Sequence, residues 1–204
     1  MKKIQKNLII IQRSNGDVLL SLPLINALHN YYPSAVIDLL VNDDTFSVAD
    51  LLPHIKNIHI FSYQRKKDER IKQELSIILS IYRKYDLSIN LTSSDRSVLY
   101  AILASKKSIS AVEKNSKKSW WKKYFLTLNY FFDLNKHILV NNLEPLRLLN
   151  IEHDLVQDTP KISSEVYSNV EKRLEEIKVT NFFIFHPSAQ YNYKVYPKSD
   201  RDSL

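Results

Sequence analysis

The 204-residue chain contains a single glycine, Gly16, in a segment where a strand is expected to turn into a helix. The β-branched apolar run Leu8–Gln12 predicts a buried strand, and the apolar residues of Val18–Asn30 recur at helical spacing. The turn between them also carries the polar residues Arg13, Ser14, Asn15 and Asp17. Because ligands bind beyond the carboxyl ends of strands in open α/β sheets, this turn is the first candidate site.

The lone glycine also excludes the loops by which many α/β proteins hold nucleotides. Average glycine usage would give roughly fourteen glycines in a chain of this length. The dinucleotide fingerprint G-x-G-x-x-G and the P-loop G-x-x-x-x-G-K-[ST] both need at least two glycines close together. The sequence therefore contains neither loop.

Short apolar segments alternate with longer segments of helical spacing. The expected strands are Leu8–Gln12, Ala35–Val41, Ile58–Phe61, Leu87–Leu91 and Ser108–Val112. The expected helices between them are Val18–Asn30 with an internal Pro23, Thr45–Leu52, Asp68–Lys84 with Ile71, Leu75, Ile78 and Tyr82 in phase, and Ser94–Ala104. This rhythm predicts an α/β fold, a Rossmann-like doubly wound parallel sheet.

The alternation of expected strands and helices is interrupted after the fifth strand and resumes near the end of the chain. Residues 115–136 are rich in lysines and aromatic residues, and helices are expected over His137–Asn150 and Ser164–Lys178. A further strand is expected at Phe182–Phe185. Because a lone strand cannot bury both faces, it either joins the first sheet or opens a second domain. We predict an N-terminal domain over residues 1–160 and the start of a second domain over 161–204.

Charge and composition narrow the function classes. The net charge of +7 and the pI of about 9.3 favour acidic partners, such as nucleic acid, an anionic membrane face or a phosphorylated substrate. The chain has no cysteine, and its six histidines lack metal-ligand spacing, so no metal site is predicted. No apolar run approaches the roughly 18 residues of a membrane span. We expect a soluble, cytoplasmic protein.

Lysines surround a pair of adjacent tryptophans in the segment that breaks the rhythm. The residues are Lys114, Lys117, Lys118, Trp120, Trp121, Lys122, Lys123, Tyr124 and Phe125. The aromatic residues can cover the sheet, or the segment can lie on an anionic membrane surface. A third alternative is a platform for single-stranded nucleic acid, which ranks below the other two.

Two other polar segments follow expected strands, and each has a structural alternative. Residues 90–97 include Asn90 and Arg96, which form either a polar wall for an anionic ligand or an ordinary helix start. Residues 186–197 include Ser188 and Lys194, which either meet a phosphate or belong to an ordinary loop. Asp17 likewise suits both a helix cap and a general base.

Three segments, in chain order, resemble signature segments of glycosyltransferase family nine, the ADP-heptose:lipopolysaccharide heptosyltransferases. The first is the turn segment 13–24. The second, 85–97, has the Asn-Leu-Thr form of the heptosyltransferase III branch, and the third, 186–197, resembles that branch's entry into its second domain. The resemblance extends over nearly the whole chain.

The resemblance implies a GT-B architecture, in which two Rossmann-like domains face each other across a cleft. This chain would supply the N-terminal half, which takes the anionic inner-core acceptor of lipopolysaccharide, while the C-terminal domain takes the ADP-sugar. The implied reaction is inverting transfer of heptose from ADP-heptose, without an essential metal and with no cofactor besides that donor substrate. Peripheral contact with the inner membrane is expected.

The resemblance also assigns roles to individual residues. Asp17 matches the family's proposed catalytic base. The positions matched on the acceptor side are Arg13, Ser14, Asn15, Gly16, Asn90 and Arg96. The positions matched near the donor diphosphate are Ser188 and Lys194.

Family members carry a whole second domain, with a glycine-rich ADP-binding region, after the point that matches Pro197. We therefore expect an N-terminal piece of a heptosyltransferase. The alternative is a non-catalytic remnant or acceptor-binding module that lacks the donor domain.

Overall fold

The computed structural model describes residues 4–114, 120–153, 159–186, 188–189 and 195–203. The chain divides into two compact units, Met1–Lys161 and Ile162–Leu204, and each is described separately. The predicted boundary between residues 160 and 161 stays a prediction about domains of a larger protein. Among the described residues, no helix combines the length and the apolar content needed to cross a bilayer.

The first unit is built on a six-stranded sheet in which every strand is parallel to its neighbours. The strands are β1 (Lys6–Ile11), β2 (Val36–Asn42), β3 (Ile55–Phe61), β4 (Tyr85–Asn90), β5 (Ser105–Val112) and β6 (Leu128–Phe131). Their spatial order is β3-β2-β1-β4-β5-β6, the doubly wound order of Rossmann folds. The predicted fold class is confirmed.

Helices cover both faces of this sheet. They are α1 (Asn15–Leu19), α2 (Leu22–Tyr31), α3 (Phe46–Ala49) after a 3-10 turn (Asp43–Thr45), α4 (Tyr63–Asp68), α5 (Arg70–Ile81), α6 (Asp95–Ala104), α7 (Trp120–Phe125) and α8 (Ile138–Leu148). Side chains alternate along β1: Ile9 and Ile11 belong to the core cluster under α2 and α8, whereas Leu8 and Ile10 belong to the cluster under α5 and α6. The sheet is therefore buried on both faces, as parallel sheets require.

The predicted helix Val18–Asn30 begins earlier and is broken in the middle. Helix α1 starts at Asn15, Leu20 and Ser21 interrupt it, and α2 starts at Leu22. Pro23 therefore lies in the first turn of α2, where its missing N–H has no intrahelical partner to lose. The interruption is stabilised by the Ser21 hydroxyl, which donates to the Val18 carbonyl at 2.6 Å.

The residues of α5 that are in phase in the sequence are only partly buried, since Ile78 packs against the core but Tyr82 is 53% exposed. Ile71 and Leu75 are 76% and 54% exposed, while Gln73, Ile77 and Ile81 face the core. Gln73 sets this orientation, because its side-chain amide accepts from the Ser62 N–H at 2.8 Å and donates to the Ser62 carbonyl at 3.0 Å. The helix carries apolar residues on two faces, so spacing alone does not select between them.

The second unit contains α9 (Ser164–Glu176) and α10 (Lys198–Arg201). The predicted strand Phe182–Phe185 is not formed, since its residues have no regular secondary structure and are exposed. A strand needs a neighbouring strand for its backbone hydrogen bonds, and the six strands of the described sheet all lie in the first unit.

Candidate functional site

The turns after β1 and β4 lie side by side at the carboxyl edge of the sheet. The Leu91 N–H donates to the Ile10 carbonyl at 3.0 Å, and the Gln12 N–H donates to the Thr92 hydroxyl at 3.0 Å. Strands β1 and β4 are also the pair at which the strand order reverses direction. In doubly wound sheets ligands bind in the crevice at this switch point, so the first two predicted polar segments share one rim.

Asp17 is held at this rim by three donors to one of its two carboxylate oxygens. Oδ2 accepts from the Ser14 hydroxyl at 2.8 Å and from the Ser14 N–H at 3.2 Å, and it pairs with Arg13 Nε at 3.1 Å. Among the described residues none bonds to Oδ1, and the side chain is 17% exposed. Ser14, rather than Asp17, is the N-cap, and the two residues form a capping box. The carboxylate is thus fixed while one oxygen stays available.

Arg13 and Gly16 lie close to this carboxylate in the sequence and differ in how they are held. The Arg13 guanidinium lies 4.7 Å from the centre of the Phe132 ring, so an aromatic contact and an ion pair orient it together. Gly16 has an ordinary helical conformation, and a Cβ added there would meet nothing within 4 Å. The backbone conformation of the turn therefore does not require glycine at this position. Ser14, Asn15 and Gly16 form an exposed, open surface beside Asp17.

Asn90 lies beneath the rim rather than on it. Its side chain is fully buried, and its amide nitrogen donates to the Thr92 carbonyl, to the Ser97 hydroxyl at 3.1 Å and to the Ser110 hydroxyl at 2.8 Å. Its amide oxygen accepts from the Thr92 N–H at 3.1 Å. These bonds give Asn90 the role of shaping the turn before α6. Direct contact with an acceptor stays a prediction that this geometry does not favour.

Arg96 is the accessible cation on the β4 side of the rim. Its guanidinium lies 3.7 Å from the centre of the Phe61 ring and 5.7 Å from that of Tyr63. Its Nε donates to Gln12 Oε1 at 3.5 Å, which links the first turn of α6 to the end of β1. No ion pair engages Arg96 within the described ranges, so its charge is available to an anionic ligand.

Lys122 is a site-shaping residue that the sequence does not distinguish from its neighbours. Its side chain is 1% exposed, and its ammonium lies 2.8 Å from Asp95 Oδ1 and 3.0 Å from Glu113 Oε2. It also donates to the Ser93 carbonyl at 2.6 Å. Lys122 therefore joins α7 to the turn before α6 and to Asp95, the first residue of α6 and the neighbour of Arg96. Asp95 lies far from Lys122 in the sequence, so no local pattern singles out this lysine.

The aromatic residues of the lysine-rich segment divide between core and surface. Trp121 packs against the core cluster of Val98, Val112 and Leu126. Trp120 and Tyr124, four residues apart on α7, are 68% and 78% exposed. Covering of the core thus accounts for one tryptophan only. Lys117 and Lys118 lie outside the described residues.

The residues predicted near the donor diphosphate, Ser188 and Lys194, follow the first unit in the sequence. Ser188 belongs to the second unit, where it is exposed, and Lys194 lies outside the described residues. Two polar residues at the rim were instead missed by sequence reasoning. Gln12 follows β1 and Asn42 ends β2, and both are buried.

No protein-family model matches the chain. The chain is 28% identical over 186 residues to the lipopolysaccharide heptosyltransferase 3 of Escherichia coli strain K12, a match that covers 89% of this chain and 54% of that protein. A second lipopolysaccharide heptosyltransferase 3 from Escherichia coli is 27% identical with the same coverage. The chain therefore spans about half the length of these curated relatives.

The fold is shared with solved glycosyltransferases. A glycosyl transferase family 9 structure from Veillonella parvula superposes with a TM-score of 0.74 at 17% identity, covering 97% of this chain and 57% of that one. The Escherichia coli heptosyltransferase WaaC with ADP gives a TM-score of 0.68 at 15% identity, covering 96% and 62%. At identities this low, the structural likeness establishes only the shared fold. The sequence matches are the evidence for similarity to the heptosyltransferases. The predicted resemblance to the heptosyltransferases of glycosyltransferase family 9 is confirmed.

Proposed function

We propose that this chain is the acceptor-binding half of an inverting heptosyltransferase that transfers heptose from ADP-heptose to the inner core of lipopolysaccharide. The observation that carries the proposal is the Asp17 carboxylate. It stands at the switch point of the sheet, with one oxygen held by Arg13 and Ser14 and the other without a bond to a described residue. A general base needs an oriented acceptor atom that is free to take a proton.

In the proposed reaction, Oδ1 of Asp17 takes the proton of the acceptor hydroxyl. The hydroxyl oxygen forms a bond to the anomeric carbon of heptose from the face opposite the leaving group. The bond from that carbon to the diphosphate oxygen breaks, and its electron pair leaves with ADP, so the configuration inverts. Ser188 and Lys194 are proposed to stabilise the charge that develops on the diphosphate.

The acceptor side of the proposal is supported by charge. The net charge of +7 suits an anionic acceptor, and Arg13 and Arg96 are the described cations at the rim. Ser14, Asn15 and Gly16 offer an open surface on which a sugar can lie next to Asp17. We place the protein in the cytoplasm, with peripheral contact to the inner membrane.

A second candidate is a non-catalytic acceptor-binding module. It is favoured by the rim itself, since the open surface of Ser14, Asn15 and Gly16 and the cation of Arg96 suit binding of an anionic sugar whether or not transfer occurs. The two candidates agree on what the rim binds and differ only in whether this chain turns over ADP-heptose.

The test combines acceptor binding and transfer. Titration calorimetry with a deacylated inner-core oligosaccharide measures binding, and release of ADP from ADP-heptose measures transfer. We expect Asp17→Asn to reduce any transfer by about a hundredfold or more, because the amide cannot accept the proton. The matched control is Glu69→Gln, a carboxylate replaced by its amide on the exposed surface of the same unit.

The outcomes separate the candidates. Binding without transfer supports the acceptor-binding module, and transfer that Asp17→Asn abolishes supports the catalytic half. Transfer by Asp17→Asn at the wild-type rate rejects the base assignment. If the chain binds no oligosaccharide, both candidates are contradicted and only the sequence relationship to heptosyltransferases remains.

A further inference from the structure

A cavity of about 420 Å³ lies between α3 and β3, at the outer edge of the sheet. Sites for small molecules have volumes of roughly 300–1,000 Å³, so the cavity is large enough for one. Strand β2 separates β3 from β1, and the lining shares no residue with the rim around Asp17. The lining includes Phe46, Asp50, Leu52, His54, Lys56 and Lys161.

The backbone at His54 has an unfavourable conformation beside this cavity. Its φ is 63°, in the left-handed region that favours glycine. The other described non-glycine residues with a positive φ directly follow the C-caps of α5, α8 and α9, where this conformation is usual. His54 instead follows Pro53 in the turn between α3 and β3. Backbone strain away from a helix end is typical of binding and catalytic sites.

Two contacts hold the walls of the cavity in place. The imidazole of His29, on α2, stacks on that of His54, with 3.7 Å between the ring centres and 11° between the ring planes. Lys161 lies far along the chain, and its N–H donates to the Leu51 carbonyl in the turn before His54, at 2.6 Å. The strained imidazole and the distant lysine are therefore both fixed beside the same cavity.

Strand β3 has a bulge at a residue that lines the cavity. Ile37 of β2 pairs with Ile55 of β3. The next residue of β2, Asp38, pairs with Asn57, so Lys56 is an extra residue without a partner across the strands. A bulge redirects side chains and also protects an edge strand from pairing with another chain. The bulge alone is therefore not a site, and its significance is that it falls on a lysine of this cavity.

The chemistry of the lining favours an organic anion over a bare ion. Within the described residues, no carboxylate forms an ion pair with Lys56 or Lys161. Their ammonium groups attract a phosphate. Asp50 is a hydrogen-bond acceptor for a hydroxyl or amino group, whereas Phe46 and Leu52 offer apolar surface to a planar group.

We propose that this cavity binds an organic phosphate that joins its phosphate to a hydroxyl or amino group and to a planar group. Lys56 and Lys161 hold the phosphate, and the His54 imidazole adds a further donor. Asp50 accepts from the hydroxyl or amino group, and Phe46 contacts the planar group. The inference goes beyond the proposed function, because the site needs neither Asp17 nor transfer. A nucleoside monophosphate combines all three groups in one molecule.

Nuclear magnetic resonance of the full chain tests the site directly. The probes are adenosine 5′-monophosphate, adenosine, ribose 5-phosphate and inorganic phosphate. We expect adenosine 5′-monophosphate to shift the backbone amide signals of His54, Lys56 and Lys161, and the other three probes to bind about tenfold more weakly or less. Unshifted signals at these residues overturn the inference, as does binding of inorganic phosphate that is as tight as that of adenosine 5′-monophosphate.

Charge variants test the two lysines. Lys56→Gln and Lys161→Gln should each weaken binding of adenosine 5′-monophosphate about five- to tenfold, because each removes one charge from the phosphate. The matched control is Lys106→Gln, which makes the same change in net charge at an exposed lysine of β5 and should leave binding unchanged. Wild-type affinity in the double variant of Lys56 and Lys161 overturns the inference.

Two further variants separate binding from folding and from the proposed function. His54→Gly removes the imidazole and relieves the backbone strain, so we expect weaker binding without a lower melting temperature. Unchanged affinity in His54→Gly contradicts the arrangement of the site. Asp17→Asn should leave binding of adenosine 5′-monophosphate unchanged even where it abolishes transfer. Loss of this binding in Asp17→Asn would place the nucleotide at the rim and overturn the inference.

Discussion

The two oxygens of the Asp17 carboxylate have different surroundings, and that asymmetry is what a positioned base requires. Three donors from two residues hold Oδ2, so rotation of the carboxylate would break the capping box of α1. The capping interpretation and the catalytic hypothesis are therefore compatible. The same contacts that begin the helix also aim the second oxygen outward.

One substitution at Gly16 tests a structural role and a binding role of this residue separately. Its φ is not in the left-handed region and a Cβ there would meet nothing within 4 Å, so Gly16→Ala should stabilise the fold by a few tenths to about 1 kcal/mol. If the open space holds the acceptor, the added methyl group weakens oligosaccharide binding severalfold. Urea denaturation and calorimetry on the same variant measure the two effects.

Each of the two expectations for Gly16→Ala has a result that would contradict it. A destabilised Gly16→Ala would show that the turn needs glycine after all. Unchanged acceptor affinity would show that the ligand does not approach this backbone. Ser14→Ala is a useful comparison, since it removes the cap and should destabilise the chain by about 1 kcal/mol.

Single residues also show where sequence reasoning ends. Arg13 and Asp17 stand out in the sequence because charged residues interrupt an apolar run between a strand and a helix. Gln12, Asn42 and Lys122 do not, because their significance depends on burial and on partners distant along the chain.

At the scale of elements, long apolar runs predict strands well and amphipathic spacing predicts helix orientation less well. Strands β1 to β5 overlap the predicted segments, because a parallel strand buried on both faces reads as a continuous apolar run. Strand β6 is not predicted, because it lies within the lysine-rich segment, where no apolar run marks it. In helix α5 the buried Gln73 faces the core while the in-phase residues Ile71 and Leu75 are exposed, because a tertiary contact overrides the spacing.

Helix α7 depends on one buried cation for its attachment to the rim. Lys122→Met keeps the length of the side chain and removes the bonds to Asp95, Glu113 and the Ser93 carbonyl. Because both carboxylates are partly exposed and can be hydrated, we expect a loss of about 1–2 kcal/mol in the free energy of unfolding, measured by urea denaturation. The matched control is Lys123→Met, which removes an exposed lysine from the same helix and should change stability by about 0.5 kcal/mol or less.

A Lys122→Met variant as stable as the wild type would mean that the ion pairs only balance the desolvation of the ammonium. Acceptor binding at the rim is a second measurement of the role of Lys122. If Lys122 positions the start of α6, where Arg96 lies, the variant should also weaken acceptor binding, whereas Lys123→Met should not.

At the scale of the whole molecule, an exposed aromatic face and a basic surface charge suit an anionic membrane. Trp120 and Tyr124 project from α7 with 68% and 78% exposure, and Lys123 of the same helix lies 4.8 Å from the centre of the Phe131 ring. Tryptophan, tyrosine and lysine are the side chains that favour the membrane–water interface. Because Lys122 joins α7 to the turn before α6, docking through this face would bring the rim close to the membrane surface.

Cosedimentation with lipid vesicles tests this docking. We expect binding to phosphatidylglycerol vesicles that weakens with salt, and much weaker binding to phosphatidylcholine, because exposed lysines are attracted to anionic lipid. The double variant Trp120→Ala, Tyr124→Ala should weaken binding about tenfold or more through lost apolar contact. The matched control is Ile71→Ala, Leu79→Ala on α5, which removes two apolar side chains that are 76% and 71% exposed. Equal losses in both double variants would contradict docking through α7, since nonspecific apolar adhesion does not distinguish one exposed helix from another.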